Sequence, residues 1–271
     1  ASAVVGDRVL WLASQDEGTI EKIETRRNLF YRQDEVRTKS FAANLDHILI
    51  LIAAEPEFST RQLSRALIAA EAEGITPIVA LNKSDLQEPF DRAWLKLLPY
   101  RQMGYGVLPL SLRHSAEADR AELHHLLHGK TTLVLGPSGA GKSTLVNLLA
   151  PEAQALTSEI SRALNSGKHT TTSTTWYWTD ASHQSAIIDS PGFQEFGLNH
   201  IDPAKLAALM PDLKAHADAC RFYNCSHLHE PGCGVRSAVL DGKSVQSPYG
   251  ISTDRYQIYS ELFAELSQPR Y

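Results

Sequence analysis

The sequence has 271 residues, enough for one large domain with satellites or for two modest domains. Its composition, 43% hydrophobic and 21% charged, is that of a globular protein. The formal net charge of −5 argues against a protein that binds nucleic acid through its overall charge. No apolar run reaches the roughly 18 residues that span a membrane, and no secretory signal is recognisable at the N-terminus. We therefore expect a cytoplasmic protein.

Residues 1–43 contain two strand-like runs, DRVLWLA and GTIEKI, followed by the mixed stretch ETRRNLFYRQDEVRTK. That stretch combines the aromatic residues Phe30 and Tyr31 with five basic ones. The basic residues are Arg26, Arg27, Arg32, Arg37 and Lys39. Rings that stack on bases and cations that bind phosphates are the components of an RNA contact. A solvated surface loop is the alternative, because acidic residues are interspersed.

From residue 44 onward, strands and helices alternate. Apolar, β-branched runs predict buried strands over residues 46–53, 75–81, 106–111 and 131–136, and a strand pair over TTWYWT and QSAIID. Helices are predicted over residues 59–74, 116–128 and 142–150, the first of them starting at a capping box formed by Ser59 and Gln62. This alternation predicts an α/β domain over residues 44–198 with a mostly parallel sheet.

The segment GPSGAGKST matches the phosphate-binding pattern G-x-x-x-x-G-K-[ST] between a predicted strand and a predicted helix. Its glycines let backbone N–H groups turn toward phosphate oxygens, Lys142 supplies charge to the β- and γ-phosphates, and Ser143 offers a hydroxyl to Mg²⁺. The predicted phosphate-binding residues are Gly136, Pro137, Ser138, Gly139, Ala140, Gly141, Lys142, Ser143 and Thr144. The alternative is a glycine-rich turn with no ligand.

Downstream, IIDSPG ends a predicted strand in Asp-X-X-Gly. Asp189 is predicted to hold Mg²⁺ through water, and the N–H of Gly192 to reach the γ-phosphate.

The segment PIVALNKSDL indicates which base is bound. Its motif is Asn82-Lys83-Ser84-Asp85, placed after a predicted strand. The Asp85 carboxylate can accept from the N1–H and the exocyclic amine of guanine, whereas adenine lacks the N1–H, so ATP should be rejected. The turn at Ser111 is a candidate to complete the base pocket. The alternative is an incidental surface loop.

The order of these motifs is unusual, because the base-recognition motif precedes the phosphate loop. Taken cyclically, the order is that of an ordinary GTPase, so we predict a circular permutation. Asn82, Ser111, Gly136 and Asp189 all follow predicted strands, and ligand sites in open α/β sheets form at that edge. The permutation also makes the γ-phosphate-sensing segment continuous with whatever follows it.

The chain resembles the circularly permuted, ribosome small subunit-dependent GTPase A family over nearly its whole length. The resemblance rests on AANLD, LNKSDL, GPSGAGKSTLVN, GKHTTT, IIDSPGFQEFGL and CRFYNCSHLHEPGCGV. It implies a GTPase that hydrolyses GTP to GDP and phosphate, is stimulated by the small ribosomal subunit and acts late in maturation of that subunit. It implies that subunit, with its rRNA and proteins, as the partner; we expect no membrane contact and a monomer.

The resemblance also implies three parts. These are an OB-fold over residues 1–43, a permuted GTPase domain over 44–198, and a small helical zinc-binding domain over 199–271 that includes an amphipathic helix at 255–266. Five strands make an OB-fold, so we expect the chain to begin partway through that domain.

The stretch SGKHTTTSTTW lies where a switch threonine would meet Mg²⁺. Thr171 is the first candidate and Thr172 the second, and spacing does not separate them; an exposed loop with no role is the alternative. Where many GTPases place a water-orienting glutamine, this chain has Phe193, an apolar substitution typical of the resembled family, so we expect slow intrinsic hydrolysis. His169 is a candidate to position water, against a solvent-exposed or structural role. Lys142, Thr171 and His169 are thus the candidate catalytic residues.

Four residues form a candidate shell for one structural Zn²⁺: Cys220, Cys225, His227 and Cys233. Three thiolates and one imidazole leave no open position for catalysis. By spacing alone, His229 or His216 is an alternative imidazole ligand, and the resemblance favours His227. Three reduced, buried cysteines without a metal are the alternative.

Two other classes of function compete with the ribosome-associated, Mg²⁺-dependent GTPase. One is a binding module in which GTP only changes the protein's shape without useful turnover. The other is an ATP-using P-loop kinase or transferase.

Overall fold

A computed structural model describes residues 2–15, 17–153, 173–191, 193, 196–240 and 250–269. The strands within these residues are β1 (Val9–Ala13), β2 (Gly18–Ile23), β3 (Leu29–Gln33), β4 (Thr38–Ala43), β5 (His47–Ala53), β6 (Thr76–Asn82), β7 (Gly106–Pro109), β8 (Thr131–Leu135), β9 (Thr175–Trp178) and β10 (Ala186–Asp189). The α-helices are α1 (Thr60–Ala72), α2 (Gln87–Lys96), α3 (Leu98–Gln102), α4 (Ala116–Leu126), α5 (Lys142–Leu149), α6 (Pro211–Ala217), α7 (Gly234–Ser237) and α8 (Thr253–Leu266).

A six-stranded sheet forms the centre of the molecule, in the order β7-β6-β5-β8-β10-β9. Each neighbouring pair is parallel except the edge pair β10 and β9, which is antiparallel. The predicted mostly parallel sheet is therefore confirmed. Chain order reverses beside β5, which pairs with β6 on one side and with β8 on the other, and this is where ligands bind in open α/β sheets.

The helices that cover the sheet begin and end at recognisable signals. The Ser59 hydroxyl accepts a hydrogen bond from the N–H of Gln62 at 3.3 Å, which starts α1 as the capping box predicts. Gly74 follows the end of α1 with φ +65°, a conformation that suits glycine. Within the sheet domain, the helices α2 and α3 were not predicted, and each has a proline near its start. Proline is tolerated in the first turn of a helix but obscures the apolar spacing from which a helix is recognised.

The N-terminal part consists of two antiparallel hairpins, β1–β2 and β3–β4, an arrangement like part of an OB-fold. The first hairpin leaves four large apolar side chains exposed: Leu10, Trp11, Leu12 and Ile20. The second hairpin packs into the main core of the molecule.

Phe30 is not available to stack on RNA, contrary to the expectation from its sequence context, whereas Tyr31 is half-buried. Phe30 is completely buried, with its ring centroid 5.6 Å from that of Phe41 and 5.4 Å from that of Phe196. The Tyr31 ring centroid lies 4.3 Å from that of His200, with the two ring planes tilted by 38°. Both aromatic residues therefore join the N-terminal hairpin to the segment that follows the Asp-X-X-Gly motif. Sequence context does not distinguish a buried interface ring from an exposed stacking ring.

The C-terminal part is attached to the sheet domain through Arg255 of α8, whose side chain is only 2% exposed. Two of its nitrogens donate to the Asp212 carboxylate at 2.9 Å each, and a third donates to the Ser64 hydroxyl at 2.8 Å. Ser64 belongs to α1 and also contacts the Tyr100 hydroxyl of α3 at 2.9 Å. A buried, fully paired guanidinium thus connects α6, α8 and α1.

Residues from all three predicted parts contribute to one hydrophobic core, among them Phe30, Leu198 and Ile258. The predicted boundaries after residues 43 and 198 therefore stay predictions. Among the described helices, none has both the length and the apolarity needed to cross a bilayer.

Replacing Arg255 with leucine should destabilise the protein by about 3–5 kcal/mol, because Asp212 would keep a buried charge without a partner. Arg61→Leu is the matched control: Arg61 also reaches α8, but it pairs with Glu261 at an exposed position, where an ion pair contributes at most about 1 kcal/mol. Urea unfolding of the two variants measures both losses. Equal losses would contradict the anchoring role of Arg255.

Candidate functional site

The polar motifs that sequence analysis placed after strands do meet at one edge of the sheet. Asn82 is the last residue of β6, Ser111 lies two residues beyond β7, Gly136 directly follows β8, and Asp189 ends β10. Hydrogen bonds among these segments show how they are held together.

The loop of residues 136–141 connects β8 to α5 through two glycines in left-handed conformations. Gly139 has φ +83° and Gly141 has φ +102°. Gly141 also lies so close to Asn82 that a Cβ there would be 2.5 Å from the Asn82 side-chain nitrogen. The N-terminal N–H groups of α5 are available to an anion at this point, since a helix N-terminus carries partial positive charge. Ser143 and Thr144 occupy the first turn of α5.

Lys142 is held within the site by two acceptors. Its ammonium group donates to an Asp189 carboxylate oxygen and, at 2.8 Å, to the carbonyl of Ser190. The side chains of Lys142 and Asp189 are 10% and 13% exposed, so little water screens this ion pair. The cation predicted for phosphate and the carboxylate predicted for Mg²⁺ are therefore adjacent.

The Asn82 side chain joins the phosphate loop to the turn at residues 110–112. Its amide nitrogen donates to the Ala140 carbonyl at 2.9 Å, and its oxygen accepts from the N–H of Leu112 at 3.1 Å. Asn82 is buried, so both bonds are shielded from water. A residue predicted for base recognition thus also positions the phosphate loop.

Asp85 is oriented by the turn that it faces. Ser111 donates its hydroxyl to the Asp85 carboxylate at 2.7 Å, and His114 Nε2 lies 3.4 Å from the other oxygen. The Ser111 hydrogen bond is the main reason that the pKa of Asp85 is lowered, which keeps it an ionised acceptor. Lys83 has φ +67° and donates to the Glu55 carbonyl.

Several predicted site residues lie outside the described residues: His169, Thr171, Thr172 and Gly192. Phe193 is described, and it is buried. Its ring centroid lies 5.7 Å from that of Phe196, within the same aromatic group as Phe30. Phe193 therefore packs into the core, which fits a residue that does not orient water.

The predicted metal ligands form a compact group. The Sγ atoms of Cys220, Cys225 and Cys233 and a ring nitrogen of His227 all lie within 4.8 Å of one another. Cys220 Sγ is 3.8 Å from Cys233 Sγ and 3.4 Å from His227 Nδ1. A tetrahedral Zn²⁺ centre, with bonds of about 2.3 Å to sulfur and 2.0–2.1 Å to nitrogen, separates its ligands by about 3.5–3.8 Å. The group therefore fits a closed tetrahedral metal site.

The surroundings of this group also suit a metal. Burial raises the pKa of Cys225 to about 12, and the neighbouring thiols contribute, so a cation is needed to keep Cys225 as a thiolate. Tyr256 and Tyr259 of α8 donate at 2.7 Å to the carbonyls of His227 and Ser226, which fixes the loop against α8. His216 and His229, the alternative ligands by spacing, are not members of the group.

With this geometry in view, comparisons with known proteins identify the family. A model of the RsgA GTPase family matches residues 23–199. The chain belongs to the RsgA GTPase family. The small ribosomal subunit biogenesis GTPase RsgA of Variovorax paradoxus (strain S110) is 73% identical to it, over 100% of this chain and 84% of that protein. The protein of the same name from Paraburkholderia xenovorans (strain LB400) is 50% identical, over 99% of this chain and 84% of that protein.

Two solved structures are also similar to this chain. YloQ, described as a circularly permuted GTPase, is 29% identical with a TM-score of 0.71, over 100% of this chain and 84% of that one. YjeQ from Thermotoga maritima is 28% identical with the same TM-score of 0.71, over 99% of this chain and 86% of that one. The chain is a GTP-hydrolysing enzyme with a circularly permuted fold, as predicted. Membership of the RsgA GTPase family decides against an ATP-using kinase or transferase.

Sequence reasoning missed two residues that organise the site and the segment beyond it: Arg65 and Asp119. Asp119 accepts a hydrogen bond from the N–H of Ser111 at 2.7 Å. Arg65 donates to the Phe196 carbonyl at 3.1 Å. Each is a charged residue in an ordinary amphipathic helix, so no local pattern distinguishes it from a solvated charge.

Gly141→Ala should weaken GDP binding by at least about tenfold, because the added methyl would displace Asn82 from Ala140 and Leu112 and break two buried hydrogen bonds. Gly106→Ala, at the start of β7, is the control, since a Cβ at that position would meet no atom within 4 Å. A fluorescence titration with GDP checks both variants. Unchanged affinity in Gly141→Ala would show that the position of Asn82 does not matter.

Proposed function

We propose that this GTPase binds the small ribosomal subunit in its GTP form and hydrolyses GTP to GDP and phosphate during late maturation of that subunit. The single observation that carries the proposal is the 73% identity with a small ribosomal subunit biogenesis GTPase, which extends over the whole chain. That identity extends over 271 residues, far beyond the nucleotide motifs. The protein works as a monomer in the cytoplasm and makes no contact with membranes.

Guanine is selected by Asp85, whose ionised carboxylate accepts from the N1–H and the exocyclic amine of the base. Asn82 is hydrogen-bonded to the phosphate loop at Ala140, and the Ser111 hydroxyl orients the Asp85 carboxylate. Lys83 lies beside the base along the same motif. Adenine offers Asp85 no N1–H, and the unmatched carboxylate costs binding energy.

The phosphates bind the loop of residues 136–144, whose N–H groups and helix N-terminus face them. Lys142, now paired with Asp189, turns its charge to the β- and γ-phosphates. Ser143, Asp189 and Thr171 would hold Mg²⁺, which, when bound, neutralises charge on the phosphate oxygens. The N–H of Gly192 would donate a hydrogen bond to the γ-phosphate, so it distinguishes GTP from GDP.

Hydrolysis is slow in the isolated protein because Phe193, which stands in place of a water-orienting glutamine, is buried in the aromatic group. His169 positions the attacking water once the ribosomal partner folds its loop over the nucleotide. The partner thereby acts as the switch for turnover.

The C-terminal part binds one structural Zn²⁺ through three thiolates and His227 Nδ1. The metal has no open position and serves the fold. It holds the loop of residues 220–233 in place against α8, where few apolar side chains are available to do so.

The permutation gives the γ-phosphate-sensing segment a direct connection to the zinc-binding part. After Phe193, the chain pairs with β3: the N–H of Gln33 donates to the Gly197 carbonyl at 3.0 Å, and the N–H of Asn199 donates to the Gln33 carbonyl at 2.9 Å. Arg65 donates to Phe196 and also forms an ion pair with Glu265 of α8. A structural change caused by loss of the γ-phosphate is therefore transmitted to α8 through a few residues.

Multiple-turnover phosphate release should be low for the protein alone and at least about tenfold higher with purified small ribosomal subunits. The reason is that the subunit brings about the positioning of the attacking water, which Phe193 cannot provide. Large subunits should give no stimulation. Equal rates in all three conditions would leave a binding module without useful turnover as the better description.

Asp85→Asn should lower GTP affinity at least about 100-fold, because a carboxamide cannot accept from both guanine donors. Affinity for xanthosine triphosphate, whose 2-oxo group can accept from the new amide, should rise. Glu88→Gln, the same chemical change at an exposed position at the start of α2, is the control. A variant that still prefers GTP as strongly as the wild type would remove Asp85 from base recognition.

Chelation should remove one zinc ion per chain and reduce the protection of residues 220–233 from proteolysis, while GDP affinity stays within about twofold because the ligands are remote from the nucleotide site. Cys225→Ser should have the same effect, and Ser267→Ala, at an exposed position after the end of α8, should not. Elemental analysis and limited proteolysis make the measurement. Full protection in the metal-free protein would show that the fold does not need the ion.

A further inference from the structure

The side chain of Asp119 lies directly behind the base-recognition turn, although it belongs neither to that turn nor to the Asn-Lys-X-Asp motif. It projects from the first turn of α4, and the residue is only 7% exposed. One carboxylate oxygen accepts a hydrogen bond from the backbone N–H of Ser111 at 2.7 Å. The helix that brings it there is part of the connection between the turn and the phosphate loop.

Each backbone N–H of the turn has its own acceptor: the outer two donate to β6 and the middle one to α4. Leu110 donates to the carbonyl of Leu81, at the end of β6, at 2.8 Å. Ser111 donates to Asp119, and Leu112 donates to the Asn82 side chain. Asp119 therefore holds the middle residue of the turn, the one whose hydroxyl orients the base-recognising carboxylate.

A buried carboxylate at position 119 lowers the free energy of unfolding unless its hydrogen bond compensates for the lost hydration. Burial raises the pKa of Asp119, and the hydrogen bond from Ser111 offsets only part of that effect. The surrounding core residues are apolar, with Leu110, Leu123 and Leu127 among them. A side chain whose whole role was to fill space would be better as leucine, so the polar group is there for the bond that it makes.

We propose that Asp119 is a positioning residue for guanine specificity: it fixes Ser111 so that the Ser111 hydroxyl aims the Asp85 carboxylate at the base. The inference rests on the proposed role of Asp85 in base recognition. Without the acceptor at position 119, the middle of the turn is free to shift, and Asp85 loses the 2.7 Å hydrogen bond that orients it. The base contact should weaken while the phosphate contacts remain.

Inosine nucleotides make this effect measurable, because hypoxanthine keeps the N1–H of guanine but lacks its exocyclic amine. Asp85 gains two hydrogen bonds from GDP and one from IDP, so the ratio of the two affinities reports how well the carboxylate is aligned. A general loss of stability would lower both affinities together and leave the ratio unchanged.

The test compares GDP and IDP affinities by calorimetry for the wild type, Asp119→Ala, Asp119→Asn and Glu122→Ala. In Asp119→Ala the preference for GDP over IDP should fall about tenfold. Asp119→Asn keeps an acceptor of the same length and should retain the preference within about twofold. Glu122→Ala, on the exposed face of the same helix, should match the wild type. The GTP concentration for half-maximal hydrolysis should rise in Asp119→Ala, with the saturated rate unchanged.

An Asp119→Ala variant that melts at a lower temperature but keeps the wild-type preference would overturn the proposal and leave Asp119 a purely structural residue. If Asp119→Ala does not fold, Asp119→Ser takes its place, because the serine side chain is too short to reach the N–H of Ser111. An unchanged preference for GDP in Asp119→Ser overturns the proposal equally.

The wild type provides a separate check. If it does not prefer GDP over IDP, the proposed role of Asp85 fails before the variants are considered.

Discussion

The nucleotide site depends on the buried side chain of Asn82. Its two hydrogen bonds join the phosphate loop, through Ala140, to the base-recognition turn, through Leu112. These segments lie 58 and 30 residues away from Asn82 along the chain. A primary amide is suited to this position, because it offers a donor and an acceptor on opposite sides of one planar group. Gly141 must be a glycine for the same reason, since any side chain there would meet the amide.

Circular permutation changes what this site is connected to, while the sheet and the site geometry are those of a GTPase. Because β10 is the last strand among the described residues, the segment beyond Asp189 leads directly to the C-terminal part. On the way, Phe196 packs against Phe30 of the β3–β4 hairpin, and Phe193 packs against Phe196. Arg65 then contacts both Phe196 and Glu265. The segment after Asp189 thus contacts the N-terminal part directly and is linked to α8 through Arg65.

The elements that could be predicted from the sequence are those whose signals are local. Buried strands, the phosphate loop between β8 and α5, and the spacing of the four candidate metal ligands each depend on neighbouring residues. Interactions that depend on distant residues could not be predicted. Phe30 resembled an RNA-stacking ring until its burial against Phe196 was known, and Asp119 and Arg255 resembled surface charges on amphipathic helices. A charge that is buried differs from one that is solvated only in its tertiary surroundings.

The proposal that the permutation couples nucleotide state to the C-terminal part is tested most directly by hydrogen–deuterium exchange. The measurement compares amide protection in α8, residues 253–266, between the GDP-bound protein and the protein bound to a non-hydrolysable GTP analogue. We predict different protection of α8 in the two states, and loss of that difference in Arg65→Ala, because Arg65 contacts both Phe196 and Glu265. Identical protection of α8 with the two nucleotides in the wild type would contradict the coupling.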